Sequence, residues 1–313
     1  MNTLATSVAA STQPTLFTPR VLVPLTLVAV YLLWGSTYLA IRVALVGYPP
    51  FFMAAIRFLI AGGLMLGVLR WRGVAMPTMR QWVNCSICGT LLLGFGNGLV
   101  CYAEQTVASG IAAVAVASMP LFAALFAGFY RQWPNRAEWI GLLVGFIGVI
   151  LLNFGGDLRD SPLGALALVA AAASWAFGSV WARRQDMPHP AMSTAVQMLC
   201  GSAALALAGW LDGERIAAIP STQATLALGY LVVAGSLLGF SAYIYLLHHV
   251  RPALATSYAY INPPVAVLIG VLLGGESVRA LDITGMVVIL VGVAAITLAK
   301  SSPAKSTSTQ AKR

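Results

Sequence analysis

Charge is what this sequence has least of. Its 313 residues include 18 Lys and Arg and 9 Asp and Glu, 9% charged in all, whereas a soluble domain carries roughly 25%. A water-facing shell cannot be built from so few charges, which excludes a cytosolic enzyme or a nucleic-acid binder. Histidine is also scarce, with three residues (His189, His248 and His249), all read as lying in loops. The aspartates fall outside helix centres, and no H-E-x-x-H helix, nucleophile–base pair or pair of membrane-embedded aspartates is present, so no catalytic site, metal or cofactor is expected. Of the four cysteines, Cys85 and Cys88 make one C-x-x-C without the second ligand pair of a zinc site. With Cys101 and Cys200 they read as small packing residues; redox activity of Cys85 and Cys88 is the alternative. The ~10-residue polar and apolar alternation of a porin strand is missing too.

What is abundant is apolar surface, at 59% of residues with a mean hydropathy of +0.85. A membrane crossing needs about 20 apolar residues. Ten runs meet that demand, at 22–46, 51–70, 82–102, 108–130, 137–153, 162–182, 191–211, 223–247, 253–273 and 280–299. The chain thus reads as an all-α integral membrane protein of ten transmembrane helices with no soluble domain. Residues 1–20 are Ser-, Thr- and Ala-rich and are expected to be a disordered cytoplasmic terminus. The first run is too long for a signal-peptide core of about 7–15 residues, so it reads as a retained anchor. The Ser-, Thr- and Lys-rich tail 300–313 is likewise expected to be disordered and cytoplasmic.

Lys and Arg are distributed unevenly between the two faces. Arg20, Arg70, Arg72, Arg80, Arg131, Arg136, Arg183, Arg184, Arg251, Lys300, Lys305, Lys312 and Arg313 share the amino-terminal side, against Arg159, Arg215 and Arg279 on the other. Basic loops stay inside, so both termini are expected in the cytoplasm, where the cations also meet anionic lipid.

The chain repeats itself. At a shift of 143, Gly35 and Ser36 fall on Gly178 and Ser179, Gly96 and Tyr102 on Gly239 and Tyr245, and Pro120, Ala123 and Leu125 on Pro263, Ala266 and Leu268. Shifts of 144 and 140 align Glu138, Gly141 and Gly148 with Asp282, Gly285 and Gly292, and Ala55 and Leu59 with Ala195 and Leu199. Two five-helix repeats result, at 21–154 and 155–299. Because five is odd, the second enters the membrane from the opposite face, giving two inverted repeats. Inverted repeats suit alternating access around a site near the midplane; duplication that merely builds a stable bundle is the alternative.

The runs WGSTYLAIR (Trp34 to Arg42), SGIAAVAVASMPLFAALFA (Ser109 to Ala127), SWAFGSV (Ser174 to Val180) and RPALATSYAYINP (Arg251 to Pro263), with GGE at Gly274 to Glu276, resemble the drug/metabolite transporter superfamily, and within it the bacterial EamA type. The likeness covers residues 22–299. It implies a ten-helix inner-membrane carrier, usually an exporter of amino acids, other metabolites or drug-like compounds. It leaves the solute open, because one fold can serve unlike cargoes. The expected partners are a small-molecule substrate and membrane lipids, with no nucleic acid. A non-transporting sensor or scaffold is the rival reading, and a channel lacks the rings of charge or filter repeat it would need.

Several side chains could do the work. Trp34, Tyr38 and Arg42 follow at four-residue spacing on one face of the first helix, a face expected to look into the bundle because an arginine facing lipid is costly. Trp175, Trp181, Tyr102, Tyr243, Tyr258 and Asn262 offer further walls for a substrate; interfacial anchoring is the other use of Trp and Tyr. Arg57, about 9 Å into the second helix by its rise, needs a partner. A network in which Glu104 pairs with Arg42, Arg57 or both is expected as a gate or coupling site, and Glu104 is also the candidate proton carrier. Pro120 and Pro263 should each free a carbonyl within a helix, with Ser118 and Asn262 near enough to help. Gly35 and Gly178 offer close approach or flexibility. Gly63/Gly67, Gly141/Gly145, Gly235/Gly239 and Gly270/Gly274 have the GxxxG spacing of close helix packing and leave a homodimer open.

Overall fold

The computed structural model describes residues 19–131, 133, 135–153, 160–250 and 258–301. The expected termini, Arg159, and the start of the ninth crossing at Arg251 to Ser257 lie outside these residues, apart from Pro19 and Arg20 at the start of the first helix. Ten helical crossings follow in order: α1 (Pro19–Ala44), α2 (Pro50–Trp71), α3 (Met79–Ala103), α4 (Ser109–Gly128), α5 (Arg136–Asn153), α6 (Pro162–Ala182), α7 (Pro190–Leu211), α8 (Thr222–Tyr230, continuing to His249), α9 (Tyr258–Gly274) and α10 (Ala280–Ser301). Among the described residues, seven helices are long and apolar enough to span a bilayer, and shorter apolar helices at Trp139–Gly148, Ile261–Gly274 and Ala280–Gly292 account for α5, α9 and α10.

Local chemistry sets the helix starts. Pro50, Pro162 and Pro190 stand in the first turns of α2, α6 and α7, where a missing N–H costs nothing. Ser161 caps α6, Ser221 caps α8, and Thr78 with Gln81 forms a reciprocal capping box on α3. His189 precedes α7, whereas His248 and His249 complete the last turn of α8 rather than a loop. Large apolar side chains such as Leu59, Leu64, Leu143, Leu166, Leu207 and Leu226 point outward, the arrangement expected where lipid rather than water surrounds the bundle.

The helix pairing has the symmetry of the repeat. α2 packs against its counterpart α7, and α5 against its counterpart α10. α1 lies against α8 and α9, as α6 lies against α3 and α4. Both third helices of the repeats contain a π-helical stretch, Thr90–Asn97 in α3 and Leu231–Leu238 in α8. Such a stretch displaces carbonyls from their regular partners, and each is met from the opposite repeat. The Trp34 indole Nε1 of α1 donates to the Gly235 carbonyl at 3.0 Å, and the Ser174 hydroxyl of α6 donates to the Leu91 carbonyl at 2.8 Å.

Small residues make the closest contacts. On α10, a Cβ at Gly292 would stand 2.5 Å from the Gly145 nitrogen and 2.7 Å from the Gly141 carbonyl of α5, so the Gly141/Gly145 spacing does seat a partner helix. Gly63 and Gly67 differ, with nothing within 4 Å of an added Cβ; their GxxxG spacing takes no part in packing the bundle. The cysteines are free, with Cys85, Cys88 and Cys101 buried. Gly292→Ala should therefore lower the midpoint of thermal unfolding in detergent, by an overpacking cost of about 1–3 kcal/mol. Gly67→Ala should leave it unchanged or raise it, through a gain in helix propensity of up to about 1 kcal/mol.

Candidate substrate cavity and far-face clasps

Near the middle of the bundle α1, α2, α3, α4, α6, α8 and α9 enclose a cavity of about 100 Å³. Of the residues expected to meet substrate, it gathers Trp34, Tyr38, Trp175, Tyr258 and Asn262, together with Arg57 and Pro263 from the expected gate. Trp34 is held at the centre of an aromatic cluster: its ring lies 4.8 Å from Tyr258 at 86°, 5.2 Å from Phe240 and 5.3 Å from Tyr243. Edge-to-face contacts of this kind orient a ring as well as bury it. Tyr243 thus supports the wall from behind and does not line the cavity. Thr37, Phe58, Asn97 and Met119 do line it without having been singled out in the sequence, and so does Gly96, which the sequence marked only as a repeat match. The signal for two of them lay in the paired Gly96 and Gly239 and the glycines around Asn97, which mark the π-helical stretches.

Two further aromatics lie away from this cavity. Tyr102 is not in the cavity: it stacks on Phe51 at 6.0 Å and lines a larger vestibule of about 860 Å³ on the face where α1 ends, called here the far face. Trp181, six residues past Trp175 on the same helix, is only partly buried and is absent from the lining.

The prolines and glycines differ among themselves. Pro120 does not kink a continuous helix. α4 is interrupted by a turn at Ala117 and Ser118, and Pro120 sits in the first turn of the segment Met119–Gly128, where proline is tolerated. The Ser118 hydroxyl covers the Ala115 carbonyl at 2.7 Å. In α9, Pro263 is followed by Pro264 inside the helix, so the carbonyls of Ala259 and Tyr260 both lose their regular donors. Ala259 lies on the cavity. Gly35 admits Val265 of α9, and Gly178 admits Leu91 and Leu92 of α3, which makes both of them close-approach positions between repeats.

The expected pairing of Glu104 with Arg42 or Arg57 does not form. Arg42, whose side chain is 46% exposed, binds Glu276 instead at 2.6 Å, so this end of the Trp34 face emerges at the far face. Arg57 is buried, donates from Nε to the Ser236 hydroxyl at 2.9 Å, and lies over the Phe58 ring at 4.8 Å. Glu104 is buried in the α3–α4 connection, and neither of its carboxyl oxygens has a hydrogen-bond partner. Leaving an isolated carboxylate there would be far more costly than leaving a neutral acid.

Glu276 entered the sequence analysis only as the last residue of the GGE run. Its side chain is 3% exposed and clasps the start of α4, accepting from the Ser109 N–H at 2.9 Å, the Ser109 hydroxyl at 2.7 Å and the Gly110 N–H at 3.1 Å. A carboxylate there neutralises the positive end of the helix. Burial works to raise the Glu276 pKa, but the donors on Ser109 and Gly110 and the Arg42 guanidinium outweigh it and hold the group below its ordinary range. Glu214 makes a similar contact on α2, accepting from Phe51 N–H at 2.9 Å and Phe52 N–H at 2.8 Å. There burial prevails over the two N–H donors and pushes the pKa up. Two acids of the second repeat thus fasten two helix starts of the first.

A family model described as the EamA-like transporter family matches residues 22–154 and 162–298, one match to each set of five helices. The chain belongs to that family. It is 45% identical over 284 residues to an uncharacterized inner membrane transporter, YedA, of Escherichia coli strain K12, covering 90% of this chain and 93% of that one. It is 29% identical to the uncharacterized transporter YdfC of Bacillus subtilis, over 83% of this chain and 86% of the relative. A probable amino-acid metabolite efflux pump of Salmonella typhimurium is 25% identical over 84% and 91% of the two chains. A solved crystal structure shares the fold with a TM-score of 0.62 at 24% identity, over 88% of this chain and 97% of that one. The protein is thus a multi-pass membrane protein of a transporter family.

The Glu276 clasp gives a signed pH prediction. Because its folded pKa lies below the ordinary value, its contribution is complete above the ordinary carboxylate range, near pH 4.3, and is lost as pH falls through the depressed folded value. Thermal unfolding of the native chain in detergent should show that loss on acidification. Glu276→Gln should cost about 1–3 kcal/mol at neutral pH, the worth of charge-assisted hydrogen bonds, and flatten this part of the acid dependence.

Proposed function

We propose that this chain is a secondary carrier, not an enzyme, which exports a small organic metabolite across a bacterial inner membrane by alternating access. The observation that carries the reading is the small cavity near mid-bundle, walled by helices of both repeats and containing aromatic faces, a buried guanidinium and a proline-broken helix. Such a site, bounded by two inverted halves, can be exposed first to one side and then to the other. Outward transport is supported by the likeness to the Salmonella efflux pump. The distribution of Arg70, Arg72, Arg80, Arg131, Arg136, Arg183 and Arg184 against Arg215 and Arg279 supports cytoplasmic termini. The segments before and after the ten helices serve as cytoplasmic tails, and the two repeats meet between α5 and α6.

Proton entry drives the cycle through Glu104. A buried acid without a hydrogen-bond partner, within electrostatic reach of Glu276, Arg42 and Arg57, can be neutral in one conformation and ionised in another that gives it water or a cation.

Purified protein reconstituted in vesicles, offered pooled amino acids and aromatic cations with and without an imposed proton gradient, should show saturable flux that the gradient accelerates. No flux from demonstrably folded protein would leave the sensor or scaffold reading. Glu104→Gln should retain solute exchange but lose the acceleration by the gradient; an unaltered pH response in that variant would refute the coupling role.

A further inference from the structure

Two groups on the cavity wall remain unsatisfied. Arg57 on α2 is 4% exposed, and its Nη1 has no hydrogen-bond partner; Asn262 on α9 is 8% exposed, and its Oδ1 has none. Both residues line the same space. Arg57 has no carboxylate within ion-pair distance among the described residues, since Glu276 is taken by Arg42 and the carboxyl oxygens of Glu104 make no bond. A buried guanidinium with no carboxylate bonded to it is one of the most costly features a fold can carry. The Ser236 hydroxyl and the Phe58 face relieve it only in part. The Asn262 oxygen is an acceptor, so of this side chain only the amide nitrogen can donate to the Ala259 and Tyr260 carbonyls freed by the prolines beside it.

From this we infer that Arg57 and Asn262 are the two poles of the binding site, and that the cargo is a small solute carrying an anionic oxygen group for Arg57 and an N–H or O–H donor for Asn262. The claim rests on the carrier reading and narrows it. A guanidinium binds a carboxylate with paired, charge-assisted hydrogen bonds, and the cargo itself then supplies the missing counter-ion. The Asn262 oxygen selects against an acid that lacks a donor, because such an acid would leave it orphaned in the loaded state as well. Size points the same way. A cavity of about 100 Å³ is smaller than the roughly 150 Å³ that holds benzene and far below the roughly 300–1,000 Å³ of pockets for drug-sized ligands. The guanidinium of Arg57 on the cavity wall disfavours lipophilic cations. The indole and phenol faces of Trp34, Trp175, Tyr38 and Tyr258 enclose the carbon skeleton between the poles.

The test separates binding from transport. Full-length protein in detergent is titrated with L-lactate and L-alanine, which carry both groups, with propionate, which lacks the donor, and with lactamide and L-alaninamide, which lack the carboxylate. Ligand-induced thermal stabilisation gives the affinity. Lactate or alanine should bind, propionate more weakly, and the two amides least. Arg57→Gln should weaken the carboxylate ligands by about tenfold to a hundredfold, and Arg57→Lys by less. Arg57→Gln should also raise the unfolding midpoint of the empty protein, because it removes an uncompensated charge; a merely structural arginine would lower it. Asn262→Ala should weaken lactate and alanine toward the propionate value while leaving propionate unchanged. Amides binding as well as the acids, an unaltered response in Arg57→Gln, or no binding by either lactate or alanine would overturn the assignment. The analogue series on the native chain reports even if a variant fails to fold. Binding in the expected order without flux in vesicles would instead overturn the carrier reading and leave the two poles standing.

Discussion

Inside a bilayer no water stands ready to complete a broken hydrogen bond, and this condition governs the whole molecule. Each irregularity in the helices is a polar group that must find a partner in protein. The π-helical stretches of α3 and α8 are answered by Ser174 and Trp34, and the turn in α4 by Ser118. At the far face the open helix starts of α2 and α4 are answered by Glu214 and Glu276. Against this background of satisfied groups, the exceptions stand out. Arg57 Nη1, Asn262 Oδ1 and the two oxygens of Glu104 are where the fold keeps unspent hydrogen-bonding capacity.

The division between fastening and function follows the repeat only in part. The pairs α2 with α7 and α5 with α10 obey the pseudo-symmetry, and so do the two π-helical stretches. The charged groups break it. Arg57 corresponds to Gln197 and Glu104 to Leu247, so one half carries the ionisable side chains of the interior while the other supplies the acids that clasp the far face. A symmetric frame gives two equivalent directions of opening. An asymmetric set of charges makes the two openings energetically unequal.

How much could be read from the sequence depended on how local each signal was. Continuous apolar runs placed the ten helices, because length against bilayer thickness is a property of one segment at a time. The repeat was legible from ordered pairs such as Gly35 with Gly178 and Pro120 with Pro263. Trp34, Tyr38, Trp175, Tyr258 and Asn262 were singled out by residue type and helix face, and the fold brings them together with Arg57. What failed depended on partners far apart in the chain. Arg42 finds Glu276 across 234 positions, and no spacing rule announces that choice over Glu104. Tyr102 and Tyr243 have the composition of lining residues, but a rotation of a helix by part of a turn decides whether a ring faces a cavity, a vestibule or another ring. Pro120 was misjudged because the turn two residues before it, not the proline itself, ends the first segment of α4.

The cross-repeat bonds from Trp34 and Ser174 bear on which parts of the molecule can travel together. A ligature joins the first helix of each repeat to the third helix of the other, so α1 is tethered to α8 and α6 to α3. Swinging one repeat bodily away from its twin would tear both ligatures at once in a dry environment. Any rigid body that keeps both bonds is therefore assembled from both halves of the chain.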